Sequence, residues 1–570
     1  MQRRYAFPIA LRTGANRWDL LAAVIALGAL ALIVIAARDM QAPLVALEAD
    51  PVTLDPARLP EYALRTTIRM LVALVASLLF SMAVGTLAAR SARARSILLP
   101  LLDVLQSVPV LGYLSITVVL FLRLFPDSVL GPELAAIFAI FTGQVWNMTF
   151  SFYQSLRTVP AELVDAARSM RLSAWQRYWH LDVPFATPGL VWNAMVSMSG
   201  GWFFIVAAEA IAVGAWTIPL PGIGSYVALA IAEQDLVAIG LALAAMLLVI
   251  ALHDVFMFRP LVAWSDQFRV GGGRSGEAPH SAVLSTWRRT RVLQALGGRL
   301  ARGVRSVTLA RLEPSRPRDP KRSALAGSLL YRGALVALAV GGTVFAAQFL
   351  VSLSLAEWWH AFVLGCLTLV RVLVLTVLCS VLWVPVGILI GLRPRWTARV
   401  QPVVQFLAAI PANLLFPLVV YVIVRWDLNP EIWLSPLIVL GAQWYVLFNA
   451  IAGASTIPQD LLDAARNLRI RGWQRWHRIL LPGIAPYAVT GALTAWGGAW
   501  NATIVAEVVH WGDRTLVAQG LGAYITLHTE AGDFPRIALG VTMMAIFVVV
   551  FNRLLWRPLY DAAERRFRLD

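Results

Sequence analysis

VPAELVDAARSMRLSAWQRYWHLDVP at 159–184 and IPQDLLDAARNLRIRGWQRWHRILLP at 457–482 are one passage written twice, at an offset of 298 residues. The same offset carries Trp146 to Trp444, Pro188 to Pro486, Trp202 to Trp500 and Glu209 to Glu507. It also carries Gly222-Ile223-Gly224 to Gly520-Leu521-Gly522, and Arg259-Pro260-Leu261 to Arg557-Pro558-Leu559. Upstream the offset becomes 302, taking Thr66, Arg69 and Pro109 to Thr368, Arg371 and Pro411. Matches that keep their order over most of each half define an internal duplication.

What is duplicated is membrane-embedded. The chain is 59% hydrophobic and 14% charged, with a mean hydropathy of +0.70; soluble domains are usually about 25% charged. A span needs ~20 mostly apolar residues. About twelve candidates meet that need, roughly six per half. They lie at 18–37, 64–88, 97–125, 131–156, 188–213, 236–258, 328–353, 359–391, 402–424, 431–455, 486–510 and 536–556. Six spans, an even number, return the chain to the side it started from, so the copies share an orientation and form a parallel repeat about an axis along the membrane normal. The expected fold is all-α, with one unit at 1–265, a basic linker at 266–326 and a second unit at 327–570. The first apolar run follows Arg3, Arg4, Arg12 and Arg17 and has a counterpart in the second half. It reads as a retained anchor rather than a signal peptide.

The formal charge of +16 invites a nucleic-acid reading, but the basic residues fall in short runs between apolar stretches. Arg90/Arg93/Arg95, Arg168/Arg171/Arg177, Arg393/Arg395/Arg399, Arg466/Arg469/Arg471 and Arg565/Arg566/Arg568 share one face of the twelve-span topology. The positive-inside rule makes that face, and both termini, cytoplasmic. Between Arg274 and Arg322 the linker holds twelve basic and three acidic residues. Leu293, Leu296, Leu300, Val304 and Val307 recur there at helical spacing. An interfacial helix on an anionic leaflet and a soluble tether both fit.

The quoted passage is a loop between the fourth and fifth span of each half. Pro160 suits a first helical turn. Leu163, Ala166, Ala167 and Met170 make one stripe, and a second short helix through Trp175 is expected to stop at Pro184. Such a charged projection with a small apolar face suits docking into another protein. Asp165-Ala166-Ala167 and Asp463-Ala464-Ala465, each followed by a proline-ended stretch at Pro184 and Pro482, resemble the EAA loop. That loop marks the permease subunits of binding-protein-dependent ABC importers. With Trp175, Trp473, Ala208-Glu209 and Ala506-Glu507, the wording is most similar to the nitrate, sulfonate, taurine and bicarbonate branch. The resemblance covers about 60–265 and 360–560.

It implies a type I importer-like fold of two fused permease units in a bacterial cytoplasmic membrane, with two ATPase subunits or domains and an extracytoplasmic solute-binding protein as partners. It also implies no cofactor, and a loop that fits a cleft in the ATPase. Two departures stand out. Asp replaces the usual Glu, and Arg171 and Arg469 occupy the position usually held by Gly. Arg does not cheaply adopt positive φ, so either the bend falls elsewhere or the partner's cleft differs.

Lys321 is the only lysine and follows Pro320, so a phosphate-binding G-x-x-x-x-G-K-[ST] loop is absent. No metal-ligand spacing and no nucleophile–base pair stands out. The chain is therefore expected to be non-catalytic, with the rival readings a secondary transporter or channel, or a scaffold that transports nothing. Charged and polar residues in the spans are candidates for the outer mouth or the path. Glu209 and Glu507 stand 21 residues after Pro188 and Pro486, which at 1.5 Å per residue is ~30 Å, a bilayer thickness. Arg69 and Arg371 lie near the same level, so pairing with them is open. Asn147, Asn193 and Asn501 either line a path or bond helices together.

Overall fold

The computed structural model describes residues 51–268, apart from 211, 214, 215 and 218, and residues 353–567. It also describes Pro43 and short pieces of the linker at 281–287, 290, 298–299, 302–303 and 305–310. The expected spans at 18–37 and 328–353 fall outside this set, save for the last residue. The chain divides into two compact units: 40–154, 193–251 and 316–570 form the larger, and 1–39, 155–192 and 252–315 the smaller.

The first copy runs α1 (Leu59–Arg90), α2 (Ala92–Ser107), α3 (Val110–Leu124), α4 (Leu130–Arg157), α5 (Ala161–Ser169) and α6 (Ala174–Glu209). A hairpin of β1 (Ala212–Val213) and β2 (Trp216–Thr217) follows, then α7 (Ile223–Ala232), α8 (Leu236–Phe268) and α9 (Ala282–Trp287). The second copy repeats the order: α10 (Leu355–Gly391), α11 (Pro394–Ala409), α12 (Ala412–Arg425), α13 (Pro430–Leu440), α14 (Gln443–Ser455), α15 (Gln459–Asn467) and α16 (Gly472–Ala506). It ends in β3 (Val508–Trp511), β4 (Arg514–Val517), α17 (Leu521–Ala531) and α18 (Phe534–Arg566). Both hairpins are antiparallel, with Val508 opposite Val517 and Ala212 opposite Thr217.

Seven of the described helices are long and apolar enough to cross a membrane, and up to nine if each bent pair counts as one span. Their composition explains which side faces out. On α10, Val370, Val374, Val377 and Val381 are exposed, whereas Ala361, Gly365, Thr368, Val372 and Thr376 are buried. Lipid tails and leucine are equally apolar, so small residues mark the packed side.

Prolines account for where the sequence reading misjudged continuity. The span expected at 97–125 is broken at Val108-Pro109, where both residues are extended. A proline pushes the preceding residue out of the helical region. The corresponding Ile410-Pro411 step turns the chain by 80° between Val403–Ala409 and α12. Elsewhere prolines are absorbed. Tyr178–Asp182, Trp476–Leu480, Asp254–Phe258 and Asn552–Trp556 are π-helical turns, each placed just before Pro184, Pro482, Pro260 and Pro558. Proline offers no N–H and clashes with the carbonyl four residues back; a wider turn relieves that clash. Hence α6 and α16 do not stop at Pro184 and Pro482 as expected but continue to Glu209 and Ala506.

Those helices end where a buried charge cluster forms, all of it in the larger unit. Arg69 on α1 donates from Nε and Nη2 to both oxygens of Glu133, each at 2.6 Å, and from Nη1 to Glu209 Oε1 at 2.6 Å and Pro221 O at 3.0 Å. All three charged side chains are buried. Thr66 Oγ1 donates to Glu209 Oε1 at 2.7 Å, and Gly224 N donates to Oε2 at 2.8 Å. A Cβ on Gly222 would run into that carboxylate. The second copy rebuilds the cluster. Arg371 donates to Glu507 Oε1 at 2.7 Å, Glu431 Oε2 at 2.9 Å and Gln519 O at 3.2 Å, and Thr368 Oγ1 to Glu507 Oε1 at 3.0 Å. Here the group is less enclosed: side-chain exposure is 13% for Arg371 and 41% for Glu431.

The copies meet through positions that match to within one residue. Val110 N, at the start of α3, donates to Asn501 Oδ1 at 2.7 Å; Asn413 Nδ2 donates to Phe203 O at 3.0 Å. Phe203 and Asn501 correspond at the offset of 298, and Leu111 and Asn413 at 302. The tip of the second hairpin reaches the first copy through Gly512 N to Ile231 O at 3.1 Å.

Removing one partner from a buried ion pair costs about 3–5 kcal/mol, because the remaining charge stays desolvated. Glu209→Ala is therefore expected to destabilise the purified chain by about that much, and Glu507→Ala by clearly less, since Arg371 is less enclosed. Thermal or denaturant unfolding in detergent measures both; equal losses would show that burial does not set the cost.

Candidate functional site

The repeated loop is built the same way in each copy. In the first, α5 ends with Met170 N donating to Ala166 O at 3.0 Å and Leu172 N to Ala167 O at 3.2 Å. In the second, Leu468 N donates to Ala464 O and Ile470 N to Ala465 O, both at 2.9 Å. The paired alanines thus supply the carbonyls of a C-terminal helix cap. Such a cap needs one residue in the left-handed region, and Arg171 and Arg469 take it, with φ of 51° and 53°. The bend falls at the position where the resemblance puts glycine, at a cost of about 1–2 kcal/mol for a side chain there.

The faces of α5 differ from the expected stripe. Ala167 is buried, whereas Asp165, Ala166, Arg168 and Met170 are exposed. Ala465 is likewise buried beside exposed Asp463 and Ala464. Its helix stands on a core of Ile457, Leu462, Ile479, Leu480 and Ile484 packed with Val384, Ile388, Ala450 and Ala454. Asp165 pairs with Arg168 at 3.1 Å and Asp463 with Arg466 at 2.7 Å. Both pairs lie in water, where such contacts contribute ~0–1 kcal/mol. The carboxylates, Met170 and Leu468 (72% and 73% exposed) are thus open to a partner.

Arg69, Glu209 and Glu507 are buried in the clusters described above, and Arg371 is nearly so. Glu133 and Glu431, which the sequence reading passed over, complete them; the offset of 298 that links these two was the available signal. The asparagines divide. Asn501 joins the two copies, Asn193 Nδ2 donates to Ser151 Oγ at 2.9 Å, and Asn147 is half-buried on α4. Bonding between helices accounts for two of the three. Among the described residues no cluster of three or more His, Cys, Asp or Glu is placed to hold a metal.

Comparison with known proteins bears on the duplication. Residues 81–259 and 384–569 both match the family described as binding-protein-dependent transport system inner membrane component. Over 176 residues the chain is 31% identical to the bicarbonate transport system permease protein CmpB of Synechocystis sp., covering 31% of this chain and 60% of that protein. It is 26% identical over 187 residues to the nitrate import permease protein NrtB of Leptolyngbya laminosa, covering 33% of this chain and 63% of that one. A probable ABC transporter permease protein of Brucella melitensis is 28% identical over 196 residues, covering 34% of this chain and 74% of its own length. The match thus spans about three-fifths of the first two relatives. With two matched stretches, each ending beyond a hairpin and each containing one copy of the loop, the chain belongs to the family of binding-protein-dependent transport system inner membrane components.

Proposed function

We propose that this chain carries two fused membrane halves of an ATP-driven importer for a small anion, of the kind represented by bicarbonate, nitrate, sulfonate or taurine. The observation that carries the reading is the loop. Both copies hold the same cap, the same exposed aspartate and an exposed apolar residue after it, Met170 or Leu468. A free-standing surface loop has no reason to keep a strained arginine twice unless its shape is read by something. In this reading α5 and α15 enter clefts on two separate ATPase domains, which supply the energy the chain lacks a phosphate-binding loop to capture. An extracytoplasmic binding protein delivers the solute to a path between units 1–265 and 327–570. The linker at 266–326 joins the units, and it, the loops and both termini lie in the cytoplasm.

Orientation is tested with cysteines in a Cys366→Ser, Cys379→Ser background. Ser169→Cys and Asn467→Cys, next to the loops, are expected to react with an impermeant thiol reagent only from the cytoplasmic side, and Asp513→Cys at the hairpin tip only from outside. The reverse pattern would invert the topology and end the docking proposal.

Coupling is tested with Asp165→Arg and Asp463→Arg. A hydrogen bond to a charged group contributes about 1.5–3 kcal/mol, so each reversal weakens docking at one loop and the pair abolishes it. Co-purification of ATPase and solute uptake are both expected to be lost in the double variant, with expression and membrane insertion retained. Normal uptake by the double variant, or uptake by the chain alone in liposomes driven by an ion gradient, would favour a secondary transporter.

A further inference from the structure

The two loops share a sequence but not an environment. In the first copy, Trp175 Nε1 donates to Val307 O at 2.9 Å and Gln176 Nε2 to Leu309 O at 2.8 Å. Both acceptors belong to the linker and lie at the end of the helical residues 305–309. The last carbonyls of a helix are short of donors within it; Val307 O accepts from Ala310 N at 3.3 Å, and the loop adds a side-chain donor to it and one to Leu309 O. Thr308, between the two acceptors, is buried. Gln176 works in both directions. Its Oε1 accepts from Ser173 N at 3.0 Å while Ser173 Oγ accepts from Gln176 N at 3.2 Å, a reciprocal cap that fixes the start of α6.

The second copy keeps the tryptophan and the glutamine and loses the rest. Arg471 stands at the cap position with no side-chain cap, and Gly472 takes a positive φ of 56°. Trp473 is 75% exposed and Gln474 is exposed. An exposed indole next to an exposed amide is the donor pair that grips two backbone carbonyls in the first copy. The internal duplication therefore points to what this surface takes: a chain segment that presents backbone carbonyls at a helix C-terminus.

We propose that the linker is a fixed part of the first docking surface, and that the matching flank of the second loop, Trp473 and Gln474, is covered by the ATPase domain docked there. The ATPase at the first loop then meets the loop together with linker residues 305–309, and the ATPase at the second meets the bare loop and offers carbonyls to it. The two ATPase positions are inequivalent, filled by two different subunits or by one subunit through two different contacts. The docking roles rest on the function proposed above; the contact between the linker and the first loop does not.

The test uses single cysteines in the full chain, again with Cys366→Ser and Cys379→Ser, and maleimide as probe. Thr308→Cys is expected to react at least tenfold more slowly than Ser306→Cys, whose side chain is exposed. Adding Trp175→Phe with Gln176→Leu is expected to remove that protection and to speed tryptic cleavage after Arg305. Equal rates for the two cysteines with an unaltered loop, or no change in cleavage without the donors, would overturn the linker contact. With an ATPase subunit bound, Arg471→Cys beside the open flank is expected to slow at least fivefold. An unchanged rate in a complex that contains the ATPase would show that the flank stays bare and overturn the second contact. A chain that binds no ATPase overturns the function and this second contact together, while the Thr308→Cys rates still decide the first.

Discussion

A guanidinium has five N–H donors and no way to become neutral, so a buried arginine must have its fork filled. Arg69 fills it with two carboxylates and a backbone carbonyl. Much of each half follows from that requirement. Glu133 must come from the start of α4 and Glu209 from the end of α6, so three helices are drawn to one point. The second oxygen of Glu209 accepts from Gly224 N, which pins the start of α7 against the end of α6. The chain between them returns within a few residues as a hairpin. Gly222 passes so close to the carboxylate that only a residue without Cβ fits. A buried ion pair contributes little net stability; its effect here is to specify which helix ends meet.

The duplication makes the same device visible under two conditions. In the second copy the fork of Arg371 is filled by equivalent groups, but Glu431 is partly exposed and also accepts from Gln519 N at 2.8 Å. One cluster is sealed and the other is vented. Geometry is shared and electrostatics is not, since the interaction of two charges depends on the dielectric around them as much as on their separation.

Much of this was legible in the sequence. The offset of 298 locates both loops and both buried glutamates, and apolar length locates most spans. What escaped has physical causes. Val508-Val509-His510-Trp511 continues an apolar run, so it reads as span although Gly512-Asp513 signals a turn. Proline marks a possible break, but local sequence does not say whether a π-helical turn will absorb it, as before Pro184, or the chain will bend, as at Pro411. Glu133 sits in the first turn of its helix, where a carboxylate is favourable on its own account, which masks its role in the cluster. At Arg171 the sequence left open whether the left-handed bend falls elsewhere or the partner's cleft differs. The bend stays in place: the carbonyls of Ala166 and Ala167 fix the cap, and the arginine accommodates it.

Fusing two copies removes a constraint that identical subunits obey. Two identical chains present identical loops, so a change that suits one site is imposed on both. In one chain the copies can diverge, and the contrast is sharpest outside the spans. Ser173 and Gln176 make a reciprocal cap where Arg471 makes none, and Trp175 meets linker carbonyls where Trp473 meets solvent. The helix cap itself, which orients the exposed aspartate, is the same to within two degrees of φ at Arg171 and Arg469. Divergence has therefore stopped at the element whose shape a partner would read and proceeded in the flank beside it. A loop kept only for local stability would show the opposite, since replacing a strained arginine by glycine is the easier change, whereas losing a cap typically costs ~1 kcal/mol.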